Sequence, residues 1–392
     1  MHARPPAPVP SVEPQTMLYR PTWVEINVHS FQANLRAVKA FLKRGKRAVT
    51  GIVAVVKANA YGHMALPLAK AALKEGVAAL GVSSIEEGIA LRRGGIKGKI
   101  LILGSIYPLE NLAIAAQYDL TPTISSAQGL AQLVRIASRT GRRLPFHLKV
   151  DTGMGRIGVT AASAAGIIEK IVSRKEVICE GVYMHFACAA SDERFTRMQL
   201  EQFGQVVRAA KRRGLKCVVH AANSAALLVC PKAHFDWVRP GIMLYGLPPF
   251  KGAEKKIALK PVLSWKTRIV FLKRVPAKTP LSYDSTYTTG KQSVIATLPV
   301  GYADGYPRSL SNKGEVLVSG KRCPVVGRVT MDMIMVDVTG VQGAAIGGEA
   351  VLIGQQGAES ITAEEFAAWA GTIHYEAACA ISYRVPRVLL HG

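Results

Sequence analysis

No stretch of this 392-residue chain approaches the roughly 18 consecutive apolar residues that a membrane helix needs. The N-terminus offers no continuous apolar segment either. Met1 to Pro14 carries four prolines before Val12, so residues 1–17 are expected to form a loose tail rather than a secretory signal. None of the six cysteines (Cys179, Cys188, Cys217, Cys230, Cys323 and Cys379) forms a CxxC pair, and no His/Cys cluster has zinc-like spacing. These absences argue against a disulfide scaffold and a metal site, and point to free thiols in the cytoplasm. Acidic residues are few, 26 against 50 lysines and arginines, which leaves a net charge of +24. The cations are spread along the chain, with short clusters at Lys43–Arg47, Lys97–Lys99 and Lys211–Arg213. No RNA-binding motif or aromatic interleaving accompanies them. A basic solvated surface accounts for the charge, and neither a nucleic acid nor a membrane partner is expected.

What is present is periodic. Cores tend to split beyond about 250–300 residues, so two domains are expected. Short β-rich runs recur at Gly51–Ala58, Ala78–Ser84, Ile100–Ser105, Leu120–Ser125, Pro145–Asp151, Ile178–Ala187, Cys217–Ser224 and Trp237–Gly246. Ala- and Lys-rich helical stretches such as Ala161–Val172 and Asp192–Arg213 lie between them. This alternation predicts an N-terminal (β/α)8 TIM-type barrel over residues 18–255. The competing doubly wound sheet would carry a GxGxxG turn after its first strand, and Val56–Gly62 supplies none. Beyond Lys260, runs at Val294–Leu298, Glu315–Ser319, Pro324–Val338 and Ala350–Gly354 alternate apolar and polar residues between Gly and Pro turns. They predict a mainly antiparallel β domain over 256–392, to which Leu18–Val28 could add a strand. One helix is expected within it, opened by a Thr362/Glu365 capping box.

Barrel enzymes keep their chemistry at the C-terminal strand ends. The unusual polar residues fall there repeatedly: Lys57 at the end of the first strand, Asp151–Arg156 after the fifth, His185 near the end of the sixth, Asn223 and Ser224 at the end of the seventh, and Arg239 opening the eighth with Gly241 just after it. Each alone has a plainer explanation. Lys57 could snorkel, a lone His185 is more often a core residue, and Ser224 could merely cap a helix. Their convergence on one face is what argues for a site. A lysine ending a buried strand loses solvation, which favours the neutral, nucleophilic amine suited to carbonyl chemistry. The seventh and eighth loops, with Ser224 and the amides of Gly241 and Ile242, suit a phosphate. Arg239 cannot be deprotonated in a protein; set against a pyridine nitrogen, it would keep that nitrogen unprotonated.

Taken together, AVVKANAYGHM from Ala54, HLKVDTGMGRIG from His147, HFA from His185, HAANSAA from His220 and RPGIMLYG from Arg239 resemble the alanine racemase family. LSYDSTY from Leu281, PVGYADGYPR from Pro299, GRVTMDM from Gly327 and ISYRVPR from Ile381 continue the resemblance, which runs from about Tyr19 to Arg387. It implies an isomerase that interconverts L- and D-alanine for peptidoglycan, with pyridoxal 5′-phosphate as cofactor, in a homodimer with shared active sites. It further implies that Lys57 holds the cofactor and is one of two bases, the other being Tyr283 of the partner subunit. Arg239 would face the pyridine nitrogen, with His185 and Asn223 beside the cofactor. Tyr61, Ser224, Gly241, Ile242 and Tyr375 would contact the phosphate. Arg156 and the partner's Met331 would position the substrate carboxylate, Tyr302 and Tyr375 would narrow the entrance, and Lys149 would be open to carbamylation. Asp284 and Ser285 after Tyr283, and Ala190 in an entrance segment, depart from the family pattern and bear on substrate range. The alternatives are a broader racemase for serine or basic amino acids, a fold-related decarboxylase, and a non-catalytic cofactor-binding protein. A decarboxylase would set an acid where Arg239 stands, and a barrel-only binding protein would lack the second domain.

Overall fold

The computed structural model describes residues 19–45, 49 and 51–390. The Pro-rich tail and part of the first basic cluster lie outside them. The described chain forms two compact units, one of residues 26–263 with His374–Ala380, the other of Ser264–Ile373 with Ile381–Val388 and the strand residues before Ile26.

The first unit is an eight-stranded parallel barrel. Its strands are β1 (Gly51–Val55), β2 (Ala79–Val82), β3 (Ile100–Ile102), β4 (Thr123–Ile124), β5 (Leu144–Asp151), β6 (Val177–Tyr183), β7 (Val218–Asn223) and β8 (Trp237–Arg239). Sequential neighbours pair in parallel, and β8 returns to β1 through Trp237↔Gly51 and Val238↔Ile52. The β3–β4 seam is narrowest, closed by a Leu101↔Thr121 bridge with amide–carbonyl bonds of 2.9 Å on either side. Every residue of β1 is buried, as expected of a parallel strand covered on both faces. The helices start where side chains cap them: Ser84, Ser126, Thr160 and Asp192 each accept a first-turn amide. Helix Glu193–Arg212 then turns Phe203, Val206, Val207 and Ala210 inward and ends on Lys211 and Arg212, favourable at a C-terminus. Lys260 stays with the barrel because Asn34 accepts its amide (2.7 Å) and donates to its carbonyl (2.8 Å).

The second unit holds a sheet in the order Lys321–Pro324, Glu315–Val318, Glu349–Gln356, Leu263–Arg268, Thr22–Asn27, Arg387–Leu390. A second, antiparallel sheet combines Phe271–Val275, Ser293–Leu298 and Ile334–Asp337. Trp265, Tyr306 and Phe366 are fully buried, with ring centroids 5.5–6.1 Å apart. The run expected at Pro324–Val338 is two strands. Gly327, at φ +77°, and the Thr330–Met333 turn interrupt it. Thr362 caps helix Ala363–Ala370 by accepting the Glu365 amide (3.1 Å), but the Glu365 carboxylate binds Arg322 instead of closing the capping box.

Candidate active site

β1 ends at Val55, and the chain does not continue as a strand to Ala58. Lys57 opens a turn in which Ala58, Asn59, Ala60 and Tyr61 have φ of 52°, 51°, 56° and 53°. Left-handed backbone costs an L-residue about 1–2 kcal/mol, so four in a row must be held by their surroundings. The Ala60 amide donates to Val56 O (2.9 Å) and the Gly62 amide to Ala58 O (2.9 Å). The turn presents Lys57 and Tyr61 to one cavity of about 430 Å³. Burial, reinforced by Arg156, lowers the Lys57 pKa and disfavours its ammonium, while Glu87 and Cys379 act the other way.

Arg239 lines the same cavity and is almost wholly buried. It closes β8 rather than opening it, because Pro240 cannot continue the ladder and Ile242–Tyr245 is a 3-10 turn. Its Nη2 donates to the carbonyls of Met184 (2.6 Å) and Ala221 (2.9 Å), and its Nη1 to His220 Nδ1 (2.8 Å). Because a guanidinium only donates, His220 carries its proton on Nε2 and passes a hydrogen bond to His147 Nδ1 (2.8 Å). Burial keeps both imidazoles neutral, pushing His147 down to about 3 and His220 well below its ordinary value. Tyr183 stacks on His220 with rings 4.7 Å apart, and Arg239 lies over the Tyr183 ring at 5.0 Å. No carboxylate pairs with Arg239 among the described residues. His185 and Asn223 approach each other at 3.5 Å, with His185 Nδ1 3.4 Å from Arg239.

Asn223, not Ser224, caps helix Ser224–Val229, accepting the Ala226 amide at 3.0 Å. Ser224 is thus the first helical residue, and its hydroxyl accepts the Gly241 amide (2.9 Å). Ser224, Ala225, Gly241 and Ile242 line the cavity where two helical turns begin, a setting that suits an anion although the Gly241 amide itself already donates to Ser224. Gly241 is required by crowding: a Cβ there would lie 3.2 Å from Tyr61 Cζ and closer still to its hydroxyl. Tyr375 completes this end, 6.3 Å from Tyr61.

Lys149 also faces the cavity, buried, with no hydrogen-bond partner for its Nζ and the Tyr183 ring 4.7 Å away. Burial first, then Arg239 and Arg156, hold its pKa well below the ordinary value. Arg156 follows a turn in which Asp151 accepts the amides of Gly153 (2.9 Å), Met154 (2.9 Å) and Gly155.

Tyr283, Tyr302 and Met331 belong to the second unit and line no part of this cavity. They are exposed, Tyr283 to 70%, Met331 to 52% and Tyr302 to 44%. Tyr283 is displayed between left-handed Ser282 (φ 64°) and Asp284 (φ 59°), a loop tied down by the Ser282 hydroxyl on Arg328 O (2.9 Å). Tyr302 and Met331 are neighbours through backbone bonds of Tyr302 to Thr330 O (3.0 Å) and Ala303 to Met331 O (3.1 Å). Sequence reasoning assigned no role to Tyr183, Glu87, His147 or His220. The only signal available was the alternation of His147 with Lys149, which puts both on the inner face of β5.

Models of the alanine racemase N-terminal domain and C-terminal domain match residues 26–249 and 262–389. The chain is 46% identical to the alanine racemase of Halothermothrix orenii over 370 residues, covering 94% of this chain and 96% of that one. It is 46% identical to that of Symbiobacterium thermophilum over 370 residues, 94% and 97% respectively. Among solved structures, the alanine racemase from Bacillus anthracis with bound L-Ala-P superposes with a TM-score of 0.88 at 37% identity, covering 96% of this chain and 97% of that one.

Proposed function

The chain belongs to the alanine racemase family, and from that premise we propose that it interconverts L- and D-alanine, with pyridoxal 5′-phosphate as cofactor, in a homodimer whose two sites each draw on both subunits. One observation carries most weight. A lysine held towards its neutral form, the starts of two helical turns, and an arginine with no carboxylate partner among the described residues share one cavity. These residues fit the cofactor. Lys57 would bond its aldehyde carbon. Ser224, Gly241, Ile242, Tyr61 and Tyr375 would take its phosphate, the missing Cβ of Gly241 allowing the Tyr61 hydroxyl its close approach. Arg239, with His185 and Asn223 nearby, would face its ring nitrogen.

Bound there, the cofactor supplies an electron sink that makes the substrate α-hydrogen acidic. The protein's task is to move that proton between faces. The neutral Lys57 Nζ accepts or returns it on one face, and Tyr283 of the partner subunit serves the other through its phenolic oxygen. The 70% exposure of Tyr283 on a strained loop supports its covering by a partner. The Arg156 guanidinium holds the substrate carboxylate, aided by the backbone of the partner's Met331, while Tyr375 narrows the entrance to favour a small side chain. Arg239, a donor only, would hold the ring nitrogen unprotonated, which would temper the sink and favour prompt return of the proton over side reactions. An acid there would be expected in a decarboxylase.

Lys149 is proposed to carry a carbamate. Its neutral Nζ attacks carbon dioxide and loses a proton, and the resulting anion pairs with Arg156. A carbamate carbon signal from protein equilibrated with 13C-bicarbonate would bear this out; a bare amine would refute it. No described helix is long and apolar enough to cross a membrane, and we place the enzyme in the cytoplasm, supplying D-alanine to peptidoglycan. Screening L-amino acids for optical inversion tests the proposal. Alanine should invert fastest, and preference for serine or a basic amino acid would point to a broader racemase.

A further inference from the structure

Glu87 stands on helix Ile85–Arg93, which follows β2, and does not line the cavity that holds Lys57. Its carboxylate nevertheless reaches two strand ends at once. Oε1 accepts the Ala58 amide at 2.6 Å. Oε2 accepts the Ser83 amide at 2.7 Å and the Ser83 hydroxyl at 3.1 Å. Ala58 is the first left-handed residue after Lys57, and Ser83 itself lines the cavity. We propose that Glu87 is the positioning residue for Lys57: it clamps the ends of β1 and β2 and holds the left-handed turn that aims the lysine.

Three observations make the clamp more than a surface contact. None of the four left-handed residues is a glycine, so the turn gains nothing from conformational freedom. Ala58 and Asn59 are exposed, so burial does not hold them. Beside the Gly62 amide on Ala58 O, a side-chain acceptor holds each of them, Glu87 on the Ala58 amide and Asn59 Oδ1 on the Ala65 amide (2.8 Å). Both amides at Glu87 are donors, so the clamp needs two acceptor oxygens together, which a carboxylate has and a carboxamide lacks. The same charge sits close enough to Lys57 to favour its ammonium, against burial and Arg156, with Cys379 acting in the same sense as Glu87.

This inference rests on the reading of Lys57 as the cofactor lysine, but part of its test does not. Glu87→Gln is compared with Glu86→Gln, which removes an exposed charge one residue away. In the cofactor-free full chain, Glu87→Gln should lower hydrogen-exchange protection of the Ala58 and Ser83 amides on the order of tenfold, with Glu86→Gln unchanged. Titrated with pyridoxal 5′-phosphate, Glu87→Gln should bind on the order of tenfold more weakly. In the loaded enzyme kcat should fall with KM little changed. Adding Ala58→Gly, which adopts positive φ freely, should recover part of the lost affinity. If Glu87→Gln does not fold, Glu87→Asp carries the same test, since it keeps the charge but is a methylene too short to reach both amides. Unchanged protection, or loss of affinity that Ala58→Gly does not relieve, would overturn the clamp. If wild type itself failed to attach the cofactor at Lys57, the functional reading would fall while the protection result still decided the clamp.

Discussion

Adding one methyl group at Gly241 should separate cofactor binding from folding. The new Cβ of Gly241→Ala would sit 3.2 Å from Tyr61 Cζ and closer to its hydroxyl, and 3.6 Å from Val55 Cβ. Restoring ordinary contact requires the Tyr61 hydroxyl to move by about 1 Å. On one side the ring meets Tyr245 at 4.8 Å, and Tyr245 is pinned by its hydroxyl on Val55 O at 2.7 Å. The yielding side is towards Tyr375, 6.3 Å away, where the phosphate is proposed to bind. Overpacking of this kind costs about 1–3 kcal/mol. Since the displaced ring moves against the ligand, most of that should appear as roughly ten- to a hundredfold weaker cofactor binding. The assay is an absorbance titration of cofactor-free protein with pyridoxal 5′-phosphate, alongside thermal unfolding without it. The cost should shrink when Gly241→Ala is made in a Tyr61→Phe background, because the hydroxyl clash is gone. Native affinity in Gly241→Ala, or an equal loss in both backgrounds, would refute this packing account.

Refolding an equal mixture of Lys57→Ala and Tyr283→Ala, each nearly inactive alone, should recover about a quarter of wild-type activity, because about half the dimers are mixed and each carries one intact site; no recovery with mixed dimers present would exclude shared sites. Arg239→Glu should raise transamination relative to racemisation and cost about 1–3 kcal/mol of stability, since the Met184 and Ala221 carbonyls lose their donor; proportional loss of both activities would contradict the role given to Arg239. His147 binds a proton less readily folded (about 3) than unfolded (6.5), and His220 is shifted the same way, so the unfolded state takes up more protons in that window. Stability should therefore fall as pH drops below 6.5, by about 1.4 kcal/mol per histidine per pH unit, and His147→Asn should flatten the slope of melting temperature against pH; an unchanged slope would argue against a neutral buried pair.

The barrel strands were legible because parallel strands, covered on both faces, appear as short apolar runs whatever their tertiary partners. Two helix starts were legible for the same local reason, since the stretches expected from Ala161 and Asp192 open where Thr160 and Asp192 cap their own chains. Strand ends were read too long. Lys57 and Ile242 lie in apolar surroundings, yet one enters a left-handed turn and the other a 3-10 turn. Ala58–Tyr61 lacks the glycines that usually announce positive φ, and Asn59 is the one residue there with a local leaning towards it, too little to signal a bend of four residues. The His147–His220–Arg239 chain depends on register. His147 opposes Gly181 across β5 and β6, and a Cβ at Gly181 would come within 2.9 Å of His147 Cγ. Glu87 was invisible for a similar reason: its partners Ala58 and Ser83 are joined to it through the barrel, by backbone atoms that any residue possesses.

The most direct test of two bases on opposite faces is a reaction of L-alanine in D2O with cofactor-loaded enzyme, stopped early and resolved by chiral chromatography with mass detection. If Lys57 removes the α-proton and a group on the far face returns another, the D-alanine formed should carry solvent deuterium at Cα, and Lys57→Ala should form none. D-alanine that retains its original protium, or undiminished inversion by Lys57→Ala, would contradict the account.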